Sequence, residues 1–264
     1  MRISTERSAF SYLTPYECSD IILKKSICKL FHIGYGELMN SIHPTAVIGN
    51  TVKIGFGNVI EPYAVITGNV SIGNNNWIGS HVVIGAPPEH RQYHPIPFKN
   101  FAPGRIIIGS RNVIHEHTSI QSPTKDVTAV GSDCFIMHGS HIAHDCIVED
   151  WVTIAPTSVL AGHVYVQTKA TLGIGTVIHQ RLTVGAYALT GMNATVNLNV
   201  KPFKIVAGTP AKTLRLNTIG IERSGLPTGP WLEELNLEFS QWNLSLFPAS
   251  VIELINKYIV ATKN

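Results

Sequence analysis

Branched aliphatic residues recur along this chain at intervals of six. Ile42, Ile48, Ile54, Ile60, Ile66, Ile72, Ile78 and Ile84 form one unbroken run. Ile108, Ile114 and Ile120 resume it in the same phase. After a phase shift, Val130, Ile136, Ile142, Val148, Ile154, Leu160, Val166, Leu172, Ile178 and Val184 continue it. This period is neither that of a helix nor that of simple strand alternation. It marks a solenoid, in which each short rung turns a corner and directs one aliphatic side chain inward. Three hexads close one triangular coil, so residues 18 apart in sequence stack on each other. Burying one Ile or Val side chain contributes roughly 1.5–3 kcal/mol, most of it offset by backbone entropy. A rung therefore holds only when others stack on it. Glycine often follows an anchor (Gly49, Gly55, Gly73, Gly79, Gly85, Gly109, Gly131, Gly173, Gly185), which suggests corners that need its permissive backbone.

The pattern divides the chain into an N-terminal cap (1–41), a solenoid (42–212) and a C-terminal tail (213–264). In the cap, Ser19-Asp20 before IILKKSICKLF predicts a short helix, with a small α/β cap as the alternative. Such a cap would cover the unpaired backbone of the first coil. Ile84 and Ile108 are 24 residues apart, a multiple of six, so 86–105, rich in proline, is expected to be a loop thrown out of the tube. A second loop, 122–128, accompanies the phase shift. In the tail, WLEEL and FPASVIELINKYI have helical spacing, with room for two helices.

Composition narrows the function. The 264 residues carry a formal charge of +3 and no dense Lys/Arg run, which argues against a nucleic-acid surface and suits an anionic small molecule. Cys18, Cys28, Cys134 and Cys146 form no CxxC pair, so reduced thiols are expected. MRISTERSAF lacks the apolar core of a signal peptide. No apolar stretch reaches the roughly 18 residues of a membrane span. A cytoplasmic protein is expected.

The densest polar motif is MHGSHIAHDC at 137–146, around anchor Ile142. Anchors Leu160 and Ile178 follow on the same face of successive coils. His144, Gly162 and Gln180, each two residues past its anchor, are predicted to form a vertical ladder. Its rungs should lie about 4.7–4.9 Å apart, with His141, His163 and His179 alongside. Imidazole suits proton transfer at neutral pH. Asp145 would orient the His144 ring or favour its charged form, and the Gly162 N–H would steady an oxyanion. These parts suit acyl transfer to a hydroxyl or amine. His115, His117 and His138, taken singly, are expected to be solvated. An extended rung spreads His138, His141 and His144 to alternating faces, so no metal site is expected; a metal-dependent hydratase is the alternative.

HIAHDC at 141–146, LAGHV at 160–164, IHQ at 178–180 and N-x-x-G-x-x-R at 217–223 closely resemble the UDP-N-acetylglucosamine acyltransferases of lipid A synthesis. These belong to the left-handed parallel β-helix, hexapeptide-repeat acyltransferases, and the similarity covers about residues 42–225. It implies a mainly β fold: a left-handed parallel β-helix solenoid with a short N-terminal cap and a short C-terminal helical tail. By the same resemblance, His144 is the general base, Asp145 its partner and the Gly162 backbone the oxyanion donor. His141, His163 and Gln180 would contact sugar or acyl group, with His179 in support. Asn217 and Arg223 would lie near carrier or nucleotide phosphates. Met192 would occupy the corridor that measures acyl length, and Gln92 the place of a loop lysine. The resemblance further implies a homotrimer with sites between subunits and loop 86–105 reaching over a neighbour's cleft. No permanently bound cofactor is implied; acyl-CoA or an acyl carrier protein thioester is the co-substrate, and a nucleotide sugar the acceptor.

The departures shape the expected substrate. Gln92 replaces a lysine, Gln121 a histidine that helps hold the acceptor, and Ile219 a glutamate, while Arg223-Ser224 replaces a double arginine. We therefore expect transfer of a short or medium 3-hydroxyacyl group from acyl-CoA to a nucleotide-linked amino sugar, forming an amide for a surface polysaccharide such as O-antigen. The alternative is O-acylation of UDP-N-acetylglucosamine from acyl carrier protein in lipid A synthesis. A non-enzymatic scaffold is a third reading.

Overall fold

The computed structural model of the chain describes residues 39–91, 104–227, 229–237 and 241–263. The expected N-terminal cap, apart from its last residues, lies outside them, as do Gln92 and most of loop 86–105.

Each hexad makes a short strand, usually of two residues ending on the anchor, beginning with Ser41–Ile42, Val47–Ile48 and Lys53–Ile54. The strands stack into three sheets of ten, eight and seven strands, one on each face of a prism. On the first face Ile42 pairs with Ile60 and Ile60 with Ile78. On the second, Ile142 pairs with Leu160 and Leu160 with Ile178. On the third, Ile54 pairs with Ile72. The solenoid coil is therefore 18 residues, as the spacing predicts, and every pairing within it is parallel. The anchors from Ile60 to Ile178 form one continuous buried column.

Both insertions leave the same edge of the prism. Ile84 on the second face is followed on the third face by Ile108, which pairs with Ile72. Ile120 on the second face is followed by Val130, which pairs with Ile108. The phase shift is thus a local enlargement of one corner, and the chain rejoins the same column each time.

The glycines after the anchors do a different job from the one expected. Among those nine, only Gly85 has a positive φ (+98°). The left-handed corner position falls three residues past the anchor and is held mostly by non-glycine residues, such as Asn75, His81, Asp133, Asp145, His163 and Arg181. What the glycines provide is clearance: a Cβ at Gly55 would lie 2.6 Å from the carbonyl oxygen of Gly73, and one at Gly73 2.6 Å from that of Gly109.

A buried amide ladder runs up the edge between the third and first faces. Asn40 Oδ1 accepts the backbone N–H of Asn58, Asn58 Oδ1 that of Asn76, Asn76 Oδ1 that of Asn112, and Asn112 Oδ1 that of Cys134. The Asn58, Asn76 and Asn112 amides donate to the carbonyls of Gly73, Gly109 and Gly131. Each side chain satisfies corner backbone groups that the sheets leave unpaired.

Above Val184 the coils continue to Lys204–Ala207, which turns back antiparallel into Lys212–Leu216. The tail contains Trp231–Glu234 and Ala249–Lys263 as expected, and a further short helix, Thr218–Arg223. It closes over the upper coils through an aromatic cluster in which Phe203 stacks on Tyr187 (5.4 Å) and meets Trp231 (5.7 Å). Among the described residues no helix is long and apolar enough to cross a membrane.

Asn76→Ala strands the Asn112 N–H and the Gly109 carbonyl. We expect a loss of about 1–3 kcal/mol for each group left without a partner, read as a lower urea midpoint. An unchanged midpoint would show that the ladder does not carry this load.

Candidate active site

The edge that throws out both loops also carries the imidazoles. Two residues past the second-face anchors stand His144, Gly162 and Gln180; one further on stand Asp145, His163 and Arg181. The last three share the left-handed backbone, with φ of 59°, 62° and 63°. The corners are tied vertically, His163 N–H donating to the His144 carbonyl (3.0 Å) and Arg181 N–H to that of Gly162 (3.0 Å). The matching φ values in successive coils place these side chains one above another on the same edge.

His144 Nδ1 lies 2.8 Å from Asp145 Oδ2. Asp145, 6% exposed, accepts three further hydrogen bonds from the second loop: Thr124 N–H (3.0 Å) and O–H (2.6 Å) on Oδ2, and Lys125 N–H (3.0 Å) on Oδ1. Burial pushes its pKa up, but the hydrogen bonds from Thr124, His144 and Lys125 outweigh that and hold it below the usual carboxylate range. The carboxylate is thus kept ionised, and it fixes His144 with Nδ1 as donor and Nε2 as the atom open to a substrate.

Gly162 is required by the ring beneath it. A Cβ there would lie 2.5 Å from Cε1 and 2.7 Å from Nε2 of His144. Among the described residues its N–H has no hydrogen-bond partner. His163 stands edge-on to His144 with centroids 5.3 Å apart, its Nε2 3.7 Å from Asp145 Oδ2. Its pKa is lowered, chiefly by burial, against the pull of Asp145. His141, on the outer second face, has Nδ1 2.7 Å from Ser119 Oγ and is lowered mainly by burial, opposed by Glu89.

A cavity of about 310 Å³ opens here, lined by Glu89, His90, Thr124, Lys125, His144, His163, Gln180 and Arg181. A larger groove of about 670 Å³ between Tyr165 and helix Ala249–Lys263 contains no imidazole, and its charged groups, Glu253 and Lys257, face each other at 3.8 Å. The chemistry is concentrated in the smaller space.

The predicted ladder of His144, Gly162 and Gln180 is therefore present, with His163 and His141 beside it. His179 is exposed, its Nδ1 turned to the Gln180 carbonyl (3.2 Å). Met192 lies on the edge between first and second faces and is 70% exposed. Asn217 is buried and caps its helix, accepting from Gly220 N–H and donating to the Tyr187 carbonyl. Arg223 ends that helix. Within one chain, none of these last three shares the His144 edge. Tyr63, His81 and His117 stack in a separate exposed column on the first–second edge, at centroid steps of 5.1 Å, and His138 meets His117 edge-on at 5.4 Å.

Arg181, Thr124, Lys125, Glu89 and His90 escaped the sequence reading. Counting 18 twice from Asp145 reaches Arg181, and counting the anchors across both loops places them on this edge. The loop conformation that brings Thr124 onto Asp145 has no periodic signal.

Two outcomes follow from this geometry. Gly162→Ala should displace the His144 ring, seen as altered His144 ring shifts by NMR, with the fold retained; unaltered shifts would refute the contact. Burial makes His163 harder to protonate in the folded chain than in the unfolded chain, where an imidazole titrates near 6.5. Its contribution is present above pH 6.5 and is lost as pH falls through the window below. Stability should then fall less steeply between pH 7 and 5 in His163→Gln, by urea titration; equal slopes would refute the assignment.

The bacterial transferase hexapeptide (six repeats) model matches residues 51–86 and 128–162. The acyl-[acyl-carrier-protein]–UDP-N-acetylglucosamine O-acyltransferase of Gloeothece citriformis is 37% identical over 146 residues, 54% of this chain and 51% of that protein. That of Thiobacillus denitrificans is 38% identical over 54% of this chain and 55% of its own length. The chain thus spans about half the length of the curated relatives it matches. Among solved structures, the Francisella novicida UDP-N-acetylglucosamine acyltransferase superposes with a TM-score of 0.65 at 27% identity, over 84% of this chain and 87% of that one. The Arabidopsis UDP-N-acetylglucosamine acyltransferase gives 0.58 at 25%, over 85% and 92%. The chain carries hexapeptide repeats wound into a parallel β-solenoid, and in repeat, fold and motif it is similar to the UDP-N-acetylglucosamine acyltransferases.

Proposed function

We propose that the chain transfers an acyl group from a carrier-protein thioester to a hydroxyl of UDP-N-acetylglucosamine or a close nucleotide sugar. The observation that carries this reading is His144, tied through Nδ1 to a saturated, ionised Asp145 and packed over a glycine with an unpartnered N–H. The acceptor hydroxyl gives its proton to Nε2 as its oxygen attacks the thioester carbonyl. Gly162 N–H donates to the oxyanion so formed. Collapse breaks the carbon–sulfur bond, and the thiolate takes the proton back from the imidazolium. Asp145 stabilises that imidazolium and remains ionised throughout.

The names of the relatives support the hydroxyl acceptor and the carrier-protein donor. They lend nothing to the expected acyl-CoA donor and amide product and stand with the alternative, O-acylation of UDP-N-acetylglucosamine from acyl carrier protein. The placement of Met192, Asn217 and Arg223 away from the His144 edge fits sites shared between copies of the chain, as in the expected homotrimer. His144, Asp145 and His163 present ligand atoms within 4.8 Å of one another. Asp145 Oδ2 already accepts three hydrogen bonds, which suits a proton relay better than the metal centre of a hydratase.

The test supplies acyl carrier protein thioester with UDP-N-acetylglucosamine, and in parallel acyl-CoA with an amino-sugar nucleotide. Turnover is expected with the first pair and should fall about 10²–10⁴-fold in His144→Ala. Transfer with neither pair, or full activity of His144→Ala, would sink the proposal.

A further inference from the structure

We infer that Arg181 and Lys125 form an anion subsite on the rim of this cavity and take a phosphate or diphosphate group of a substrate. Arg181 is the third member of the Asp145–His163–Arg181 column. Its left-handed corner repeats theirs, so its side chain starts from the edge as that of His163 does, and both line the cavity. Lys125 comes from the second loop, and its backbone is pinned by Asp145. Both line the cavity with His144 and His163.

Among the described residues neither cation is neutralised. The Asp145 oxygens are occupied by Thr124, Lys125 N–H and His144. Among the described residues, neither Arg181 nor Lys125 has an ion pair with Glu89, the other carboxylate lining the cavity, or with any other acid. Both lie near enough to His163 to oppose its protonation. Two positive charges against the single carboxylate of Glu89 leave the concave lining net positive, which draws an anion, and a guanidinium with an ammonium suits phosphate oxygens. The identity of the anion rests on the acyl-transfer reading, whose acceptor carries a diphosphate and whose donor a pantetheine phosphate. The existence of the subsite does not.

The experiment measures binding to the full chain by calorimetry, with inorganic pyrophosphate, UDP and 4′-phosphopantetheine as probes. Arg181→Asn and Arg181→Gly both tolerate the left-handed corner, so the side chain is removed without backbone strain. Lys125→Ala keeps the N–H that Asp145 accepts. Pyrophosphate binding is expected to weaken about tenfold in each variant, in line with the loss of one charge-assisted hydrogen bond, and Arg181→Lys should restore part of it. Weakened UDP with unchanged phosphopantetheine assigns the subsite to the acceptor; the reverse assigns it to the donor. No pyrophosphate binding to the wild-type chain, or binding within twofold of it in all of these variants, overturns the inference. Because no turnover is needed, Arg181-dependent pyrophosphate binding in a chain without acyl transfer would leave the subsite standing and remove the functional reading.

Discussion

Everything in this molecule depends on the parallel stacking of identical rungs. Each anchor meets the anchor of the next coil, and the backbone ladders lock that meeting. The hydrophobic column fixes rise and rotation together, because a slip of one residue would turn every aliphatic side chain outward. Residues far apart in sequence are therefore placed by arithmetic. His144 and Gly162 belong to different coils, yet the glycine has no space for even a methyl group above the ring. A proton-transfer group held that closely comes from the core, one layer inside the site.

The two loops supply what stacking cannot. A bare prism edge is convex and wet, and an imidazole on it would be freely hydrated. Glu89 and His90 from the first loop and Thr124 and Lys125 from the second turn part of that same edge into a cavity. The second loop also brings Thr124 and the Lys125 N–H onto Asp145. A buried carboxylate is costly unless it is fully hydrogen-bonded, so these contacts both anchor the loop and keep the charge that His144 needs. Loop position and carboxylate state are thereby one event.

Much of this was legible in the sequence because the period is so strict. The coil length, three faces and the column of His144, Gly162 and Gln180 all follow from counting. Where counting stops, so does legibility. The contacts of Thr124 depend on loop conformation. The Asn58–Asn76–Asn112 ladder was missed although its period is as regular as that of the anchors, because polar residues were read only as candidates for chemistry. The glycines misled: their spacing implied a backbone need, whereas the structure shows steric clearance between coils. Asn217, which the resemblance sets near carrier or nucleotide phosphates, also caps its own helix and holds the Tyr187 carbonyl, a structural part that the motif does not announce.

The left-handed corners carry a wider consequence. His163 and Arg181 occupy two sockets of the same shape, set one above the other, each open to the same cleft. Exchanging the occupant of one socket leaves the inward aliphatic row and the hydrogen-bonded edges untouched. A scaffold organised in this way separates what it grips from what holds it up, so new substrates are reached by swapping occupants rather than by rebuilding walls.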